Sequence, residues 1–290
     1  MTEQYTLSSP LQWNTSPLAA SLEGVQAKLS YVTIVSGPPD ATGTAAADWV
    51  AATAFTQPAV ADRPVERIMQ KYEATRVVAG TYSFRALISL PIELMAYSYA
   101  TKRRVLIIEN NLFYNNRESL YHIALPEPRA FVLPGDVLAG VPGIITVADE
   151  AALQDALFQQ IASLLEPTVA AWAPRKLIER RNAWASALDA LAYGFQMAGQ
   201  QVVGLDNAWA QFNELCQRDL PPRRRPLRFQ YEVDGVADEM VVRAGCCLWY
   251  MLPQMRAAEN HYCTSCYLET DEKRLQILTD YKRSQAAAKA

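Results

Sequence analysis

The sequence predicts an α+β fold that is mainly helical, with short antiparallel strands and hairpins and a small C-terminal cysteine-rich lobe. Several long stretches carry apolar residues at the helical period, and short β-branched runs lie between turn residues. Four of the five cysteines lie between Cys246 and Cys266. A chain of 290 residues, half of them apolar, can bury a sizeable core as one large domain or two smaller ones.

The composition of the chain argues against some classes of function. The net charge of −3 and the pI near 5.6 argue against a dedicated nucleic-acid binder, which usually carries a basic surplus. The first residues show no basic segment followed by an apolar run, so we expect a cytoplasmic protein with reduced thiols. The most apolar stretch, Ala86 to Ala100, contains Pro91 and Glu93 and is too short to span a bilayer, so we expect a buried helix there.

The N-terminal half is predicted to combine helices and short strands. Helical patterns precede the apolar helix at three places, residues 16–31, residues 47–55 and a segment starting at Pro64. An Asn-rich turn is predicted at 109–116. Runs rich in β-branched residues predict four short strands, at 104–108, 120–125, 129–133 and 143–147.

The C-terminal half is predicted to be helical up to a change in composition. A long helix opens at Asp149, and further helices cover 176–198, 207–216 and 270–287. Residues 229–245 read as a hairpin that turns at Asp234-Gly235, a pair favoured in type I′ turns. The proline-broken, basic stretch after residue 218 predicts a boundary between a helical α+β body, residues 1–218, and a hairpin and cysteine lobe, residues 219–290, unless the two form one continuous domain.

The cysteine spacing favours a metal site. Cys263 and Cys266 form a C-x-x-C, which lets two thiolates turn toward one metal ion. The adjacent pair Cys246-Cys247 would point to opposite faces in a strand, so it converges only in a turn or at the end of an element. Zinc sites more often use two C-x₂₋₄-C halves, whereas a binuclear iron–sulfur centre shares four thiolates between two irons. From the residues alone, an iron–sulfur cluster, a zinc ion, a redox dithiol or disulfide and a metal-free segment all remain open.

The cysteine segment also resembles a known signature. Its matching residues are Arg243, Cys246-Cys247, Tyr250, Leu252-Pro253 and Cys263-x-x-Cys266-Tyr267-Leu268. They are similar to the C-terminal motif of the FhuF-like ferric-siderophore reductases, which bind a [2Fe–2S] cluster through four cysteines. Here 15 residues, Leu248 to Tyr262, separate the two cysteine pairs. The family has about ten at this point, and because loop extension costs little free energy, the longer loop is compatible with the same site.

The resemblance implies a cytoplasmic ferric-siderophore reductase with a [2Fe–2S] cluster on Cys246, Cys247, Cys263 and Cys266. One electron would pass to the Fe(III)-siderophore, and Fe(II) would be released because it suits hard oxygen donors poorly. The chain carries no G-x-G-x-x-G fingerprint, so the electron would come from an external ferredoxin- or flavodoxin-type donor or an NAD(P)H-dependent reductase. A peripheral contact with the inner membrane, where an importer would deliver substrate, is compatible with this function.

Other residues near the cysteines are weighed as neighbours of the cluster. They are His261, Arg243, Trp249 and Tyr250. His261 either donates a hydrogen bond or couples reduction to protonation, or is simply a solvated loop histidine. The basic run Arg223 to Arg225 with Arg228 either attracts an anionic siderophore or is a solvated linker, and Arg180-Arg181 reads as a solvated helix end. Cys216 is expected to be a free buried thiol.

Two other functions fit the same residues. In one, a zinc Cys₄ knot stabilises the C-terminal lobe of a non-catalytic binding protein. In the other, the cluster is present but the protein is an electron carrier or a redox sensor. Cluster content separates the first of these from a reductase, and saturable oxidation by ferric siderophores separates the second.

Overall fold

The computed structural model describes residues 18, 33–36, 49–115, 119–127, 129–218, 224–256, 258 and 262–287. The protein is 59% helical with small sheets of short strands, which confirms the predicted α+β class. The chain divides into two compact units, one of residues 1–61 and 94–168 and one of residues 62–93 and 169–290. The boundary predicted between residues 218 and 219 lies inside the second unit.

The helices supply most of the buried surface in the described part of the chain. Their bounds are α1 Pro58–Tyr72, α2 Arg76–Lys102, α3 Glu150–Trp172, α4 Arg180–Ala198, α5 Leu205–Leu215, α6 Pro253–Arg256 and α7 Asp271–Ala287. Short 3₁₀ turns occur at Ala52–Thr56, Ala173–Arg175 and Trp249–Met251, and a π-helical turn, Gly199–Val203, follows α4.

The strands are short, and two of their pairings are parallel. Their bounds are β1 Thr33–Ser36, β2 Trp49–Ala51, β3 Arg104–Leu106, β4 Phe113–Asn115, β5 Ser119–Leu125, β6 Ala130–Val132, β7 Ile144–Thr146, β8 Leu227–Val233 and β9 Val236–Val242. The first unit contains a four-stranded sheet of order β1-β5-β4-β2 and a three-stranded sheet of order β3-β6-β7. The pairs β1/β5 and β6/β7 are parallel, and the other pairs are antiparallel.

Polar side chains fix the strand ends in the first unit. The Gln160 side-chain oxygen on α3 accepts hydrogen bonds from the backbone N–H groups of Ile108 and Glu109 at 2.9 and 3.1 Å. Arg104 on β3 forms a bidentate pair with Asp136, with N–O distances of 2.8 and 3.0 Å. Both contacts satisfy groups that are wholly or partly buried, which would otherwise cost free energy.

The second unit is built around α4 and the β8–β9 hairpin. The hairpin turns at Asp234-Gly235, both with positive φ, as the type I′ prediction requires. Glu239 on β9 is buried and accepts hydrogen bonds from Trp209 on α5 at 2.8 Å and from Arg228 on β8 at 2.5 Å. The hairpin is thereby fixed to α5 just before it enters the cysteine segment.

Several sequence predictions are wrong in detail. Residues 49–51 form strand β2 rather than helix, because Trp49-Val50 pairs with β4 and buries the Trp49 ring. The predicted helix at Pro64 begins at Pro58, where the missing N–H costs nothing, and Pro64 lies inside it. The Asn-rich turn contains strand β4. The helix predicted at 16–31 lies outside the described residues except for Leu18, which is helical.

Helix α2 is long and apolar enough to cross a membrane, and it is the one described helix that passes this test. Two-thirds of its most apolar 18-residue window is buried inside the protein (67%). From Leu87 to Ala100 nearly every side chain is buried. This confirms the expected buried helix.

We predict that Gly80→Ala destabilises the protein, although alanine is the better helix former. A Cβ atom at Gly80 would lie 2.6 Å from the backbone oxygen of Leu177 and 2.7 Å from its Cα, and backbone atoms cannot move aside cheaply. We expect a loss of about 1–3 kcal/mol in the free energy of unfolding, measured by urea titration. The exposed α1 variant Glu66→Ala serves as control, and an unchanged midpoint for Gly80→Ala would contradict this packing.

Candidate metal centre

The cysteines lie on two loops of the second unit. Cys246-Cys247 follows β9 directly, as expected for a pair that must leave the strand to converge, and Cys263 to Cys266 precedes α7. The backbone N–H of Arg243 donates to the carbonyl of Ser265 at 2.9 Å and joins the loops. The Sγ atoms of Cys247 and Cys263 are 3.7 Å apart.

This sulfur–sulfur distance can be compared with the distance between two thiolate ligands of one metal ion. Two thiolates bound to one tetrahedral ion at bond lengths of about 2.3 Å lie about 3.8 Å apart. The two sulfurs come from different loops, so the contact pairs one member of the Cys-Cys with one member of the C-x-x-C. Cys247 and Cys263 therefore have the spacing of two ligands on one metal.

Arg243 places a positive charge beside these two sulfurs. Its Nη2 lies 3.5 Å from the Sγ of Cys247, and its guanidinium also hydrogen-bonds the Cys263 thiol. Burial opposes the charge, but Cys247, Tyr193 and Cys263 together raise the pKa of Arg243 well above its ordinary value. Within the described residues the buried Nε–H finds no acceptor. A buried cation with an unused donor at this point favours an anionic group among the thiols.

The two thiols that touch have opposite tendencies to ionise. The hydrogen bond from Cys263, together with Arg243 and the backbone N–H of Trp249, lowers the pKa of Cys247 against the effect of burial. The same hydrogen bond and burial raise the pKa of Cys263. The pair therefore holds one proton between two sulfurs, and a metal ion would replace that proton.

Cys246 and Cys266 complete the set of four. Burial raises the pKa of Cys266, the backbone N–H of Leu268 lowers it, and the charges of Cys246 and Cys247 raise it again. Tyr267 hydrogen-bonds the Cys246 thiol. No three Cys, His, Asp or Glu side chains among the described residues lie close enough together to hold one ion. What the structure does bring together is the contact between Cys247 and Cys263, with Cys246 and Cys266 in electrostatic range of the same residues.

Helix α4 holds the Cys246-Cys247 loop through buried polar side chains. Asn182 forms two hydrogen bonds with the backbone of Cys246, one to its carbonyl and one from its N–H, both 2.8 Å long. The Asp189 carboxylate accepts from the N–H groups of Ala244 at 2.6 Å and Gly245 at 3.1 Å. Arg85 on α2 pairs with Asp189 at 3.1 Å and donates to Ser186 at 3.0 Å.

The backbone at this loop leaves no room for a side chain at Gly245. A Cβ atom there would lie 3.0 Å from Asp189 Oδ2 and from both N and Oγ of Ser186. Leu248 adopts a left-handed conformation (φ 57°), a sparsely populated region for a leucine. The next N–H, that of Trp249, donates to the Cys247 thiol. The loop is therefore shaped to present sulfur.

Arg274 holds the other cysteine loop. Its side chain is fully buried on α7, and it donates to the carbonyls of Thr264 at 2.9 Å, Cys266 at 2.8 Å and Glu269 at 3.1 Å. It also pairs with Asp271. The C-x-x-C is closed by the N–H of Cys266 donating to the carbonyl of Cys263 at 2.8 Å. Both cysteine loops thus depend on a buried arginine.

Two groups of packed aromatic rings lie beside the loops. The Trp249 ring packs on Tyr72 and Tyr82, with centroid distances of 4.9 Å to each. Tyr250 packs edge-on against Tyr262 at 5.4 Å, and its hydroxyl is in electrostatic range of Cys246, Cys266 and Cys247.

A cavity of about 640 Å³ opens beside Cys246. All of its lining residues belong to the second unit, and they include Asn182, Cys246, Leu248 and Tyr267. Its size is that of a small-molecule site. A ligand in it would contact one of the four cysteines.

Three of the residues predicted to neighbour the cluster lie close to the cysteine thiols. Arg243 contacts two of the four thiols, Trp249 contacts one through its N–H, and Tyr250 lies close by. His261 lies outside the described residues. The enlarged loop contains the short helix α6, and Cys216 is a free thiol at the end of α5 whose pKa is raised to about 11 by burial.

Sequence reasoning missed the supports of the site. They are Arg85, Asn182, Ser186, Asp189 and Arg274. One signal was available, because Asn182, Ser186 and Asp189 recur at helical spacing along an α4 that is otherwise alanine- and leucine-rich. A polar stripe on a buried helix indicates that something polar is bound against it.

We predict that Asp189→Asn destabilises the protein by about 3 kcal/mol, because Arg85 is left buried without its counter-ion. The amide also offers one acceptor in place of two to the N–H groups of Ala244 and Gly245. Urea unfolding of the purified protein measures the change. Asp280→Asn, an exposed change of the same chemistry on α7, is the control, and equal midpoints for both variants would contradict this account.

We predict one thiolate in the reduced, metal-free protein at pH 7. The pKa of Cys247 is lowered, so its thiol ionises below the ordinary value near 8.5, and the absorbance at 240 nm should disappear only on acidification. Cys247→Ser should abolish this absorbance. Cys216→Ser should leave it unchanged, because the raised pKa of Cys216 keeps that thiol protonated. Loss of the absorbance in both variants or in neither would contradict the assignment.

Comparison with known proteins gives no match: no protein-family model, no curated protein and no solved structure is detectably similar to this chain.

Proposed function

We propose that this protein is a cytoplasmic ferric-siderophore reductase that holds a [2Fe–2S] cluster on Cys246, Cys247, Cys263 and Cys266. The observation that carries the proposal is the 3.7 Å contact between the Sγ atoms of Cys247 and Cys263 beside the half-buried guanidinium of Arg243. It joins the two halves of the motif that resembles the FhuF-like signature. Cys247 and Cys263 would bind one iron, and Cys246 and Cys266 the other.

The surrounding residues suit an anionic sulfur-rich group. Arg243 offsets negative charge at Cys247 and Cys263. The N–H groups of Trp249 and Leu268 donate to the sulfurs of Cys247 and Cys266, and hydrogen bonds to sulfur are one of the means by which a protein sets a cluster potential. Burial of Cys247 and Cys266 limits access of water to their side of the site.

The cavity beside Cys246 supplies a place for substrate. When bound, the cluster supplies one-electron chemistry, so that an Fe(III)-siderophore takes up one electron and becomes a weakly held Fe(II) complex. Tyr267 and Leu248 shape the wall next to Cys246, which keeps a bound chelate against a cysteine of the site. The electron donor would be an external ferredoxin- or flavodoxin-type protein or an NAD(P)H-dependent reductase, and a peripheral membrane contact remains part of the proposal.

The proposal is tested by anaerobic purification followed by the ultraviolet–visible spectrum and iron and sulfide analysis. We expect broad visible bands and about two irons and two sulfides per chain. Cys247→Ser should lose most of the iron, and Cys216→Ser should retain it, because Cys216 lies at the end of α5, outside the two cysteine loops. A colourless protein with one zinc and no sulfide after attempted reconstitution would overturn the proposal in favour of a zinc knot.

The reductase activity is tested on the loaded protein. Reduced protein mixed with ferric siderophores should be reoxidised at a rate that saturates with siderophore concentration. Unrelated iron chelates should not show this saturation. Reoxidation that never saturates would overturn the reductase function and favour an electron carrier or redox sensor.

A further inference from the structure

Basic side chains outnumber acidic side chains around the cavity beside Cys246. Its lining includes three basic side chains, those of Lys176, Arg181 and Arg224, and one acidic side chain, that of Glu179. Among the described residues no carboxylate lies within salt-bridge distance of the three cations. The cations come from two parts of the chain, Lys176 and Arg181 around the start of α4 and Arg224 just before β8, and the fold brings both parts to one cavity.

Two of the three cations, Arg181 and Arg224, are read from the sequence as solvated, and both are exposed in the structure. Arg181 reads in the sequence as a solvated helix end, and Arg224 as part of a basic linker. In the structure Arg181 lies in the first turn of α4 and faces the cavity, and Arg224 stacks on the Tyr267 ring at 4.0 Å. Tyr267 in turn hydrogen-bonds Cys246. Arg224 is therefore linked to the cysteine site through a single aromatic ring.

The start of α4 adds to the positive potential. Its N-cap residue, Glu179, makes no side-chain hydrogen bond to the first turn, and the first turn contains no acidic residue. The first N–H groups of α4 therefore have no acceptor from the N-cap side chain, and the carboxylate of Glu179 offsets part of the positive charge at this point of the cavity wall. A cavity of about 640 Å³ with this potential suits an anionic small molecule.

We propose that the cavity selects ferric chelates with net negative charge, of the catecholate or carboxylate class, over neutral hydroxamate chelates. This inference rests on the proposed reductase function. Three singly charged hydroxamates neutralise a trivalent ion, whereas three doubly charged catecholates leave an excess of negative charge. The cations at Lys176, Arg181 and Arg224 therefore discriminate between chelates of similar size by charge.

Gallium chelates test binding separately from electron transfer, since Ga(III) has the charge and coordination of Fe(III) but is not reduced. The probes are gallium tris(catecholate), gallium citrate and gallium tris(acetohydroxamate), titrated calorimetrically into the holoprotein at pH 8. We expect one or both anionic chelates to bind at least about tenfold more tightly than the neutral one, and to weaken as salt is raised. Whichever anionic chelate binds assigns the catecholate or the carboxylate class. No preference for either anionic chelate would overturn the inference.

Matched variants assign the preference to the cavity. Arg181→Gln and Arg224→Gln should each weaken binding of the anionic chelate by about three- to tenfold and leave the neutral chelate unchanged. Arg63→Gln removes the same charge from an exposed position on α1 outside the cavity and should have no effect. Equal losses in all three variants would overturn the inference.

The two proposals fail in different ways. Selective gallium binding by a protein that does not reduce the matching ferric chelate would overturn the reductase function and support the anion-selective cavity. Saturable reduction of ferric chelates without charge preference in the gallium titration would support the reductase and overturn the selectivity.

Discussion

The candidate site depends on the ion pair and the hydrogen bonds that the buried carboxylate of Asp189 forms. Its oxygens lie inside the second unit and accept from Arg85 and from the backbone of Ala244 and Gly245. Burial raises the pKa of Asp189, and Arg85 and the Ala244 N–H act against that rise, so the charge is kept only while these donors stay in place. The position of the cysteine loop therefore depends on Asp189 and its ion pair with Arg85 on α2, because a displaced loop leaves a buried charge with fewer partners.

Two arginines, Arg243 and Arg274, act on the cysteine loops in different ways. Arg243 contacts a thiol on each of the two cysteine loops, whereas Arg274 holds the C-x-x-C loop. Arg274 gives its donors to backbone carbonyls and fixes the shape of the C-x-x-C. Arg243 turns its guanidinium toward sulfur and retains a buried donor without an acceptor among the described residues. A lysine could replace neither, since both roles use several N–H groups in a fixed plane. The carboxylate of Asp189 supplies part of the negative charge around Arg243, and anionic thiols at Cys247 and Cys263 would supply more.

Local features of the sequence were enough to predict part of this structure. The hairpin turn follows from Asp234-Gly235, and most of the helices follow from apolar periodicity. The failures share a physical cause, which is dependence on distant residues. Trp49 is in a strand because β4 pairs with it, and Asp189 matters because Arg85, 104 positions away, meets it inside the fold. Nothing within a window around either residue encodes its partner.

The four cysteines are not equivalent, and the difference bears on how a bound group would work. Cys247 and Cys266 are buried and accept backbone N–H groups, so they provide rigid attachment. Cys246 is partly exposed, lines the cavity and is held by Asn182 through its backbone, which leaves its sulfur to Tyr267. Backbone anchoring fixes the position of Cys246 without covering its side chain. A group held by all four would therefore be closed on the Cys247 side and open on the Cys246 side, where a small molecule in the cavity would lie close enough to exchange an electron with it.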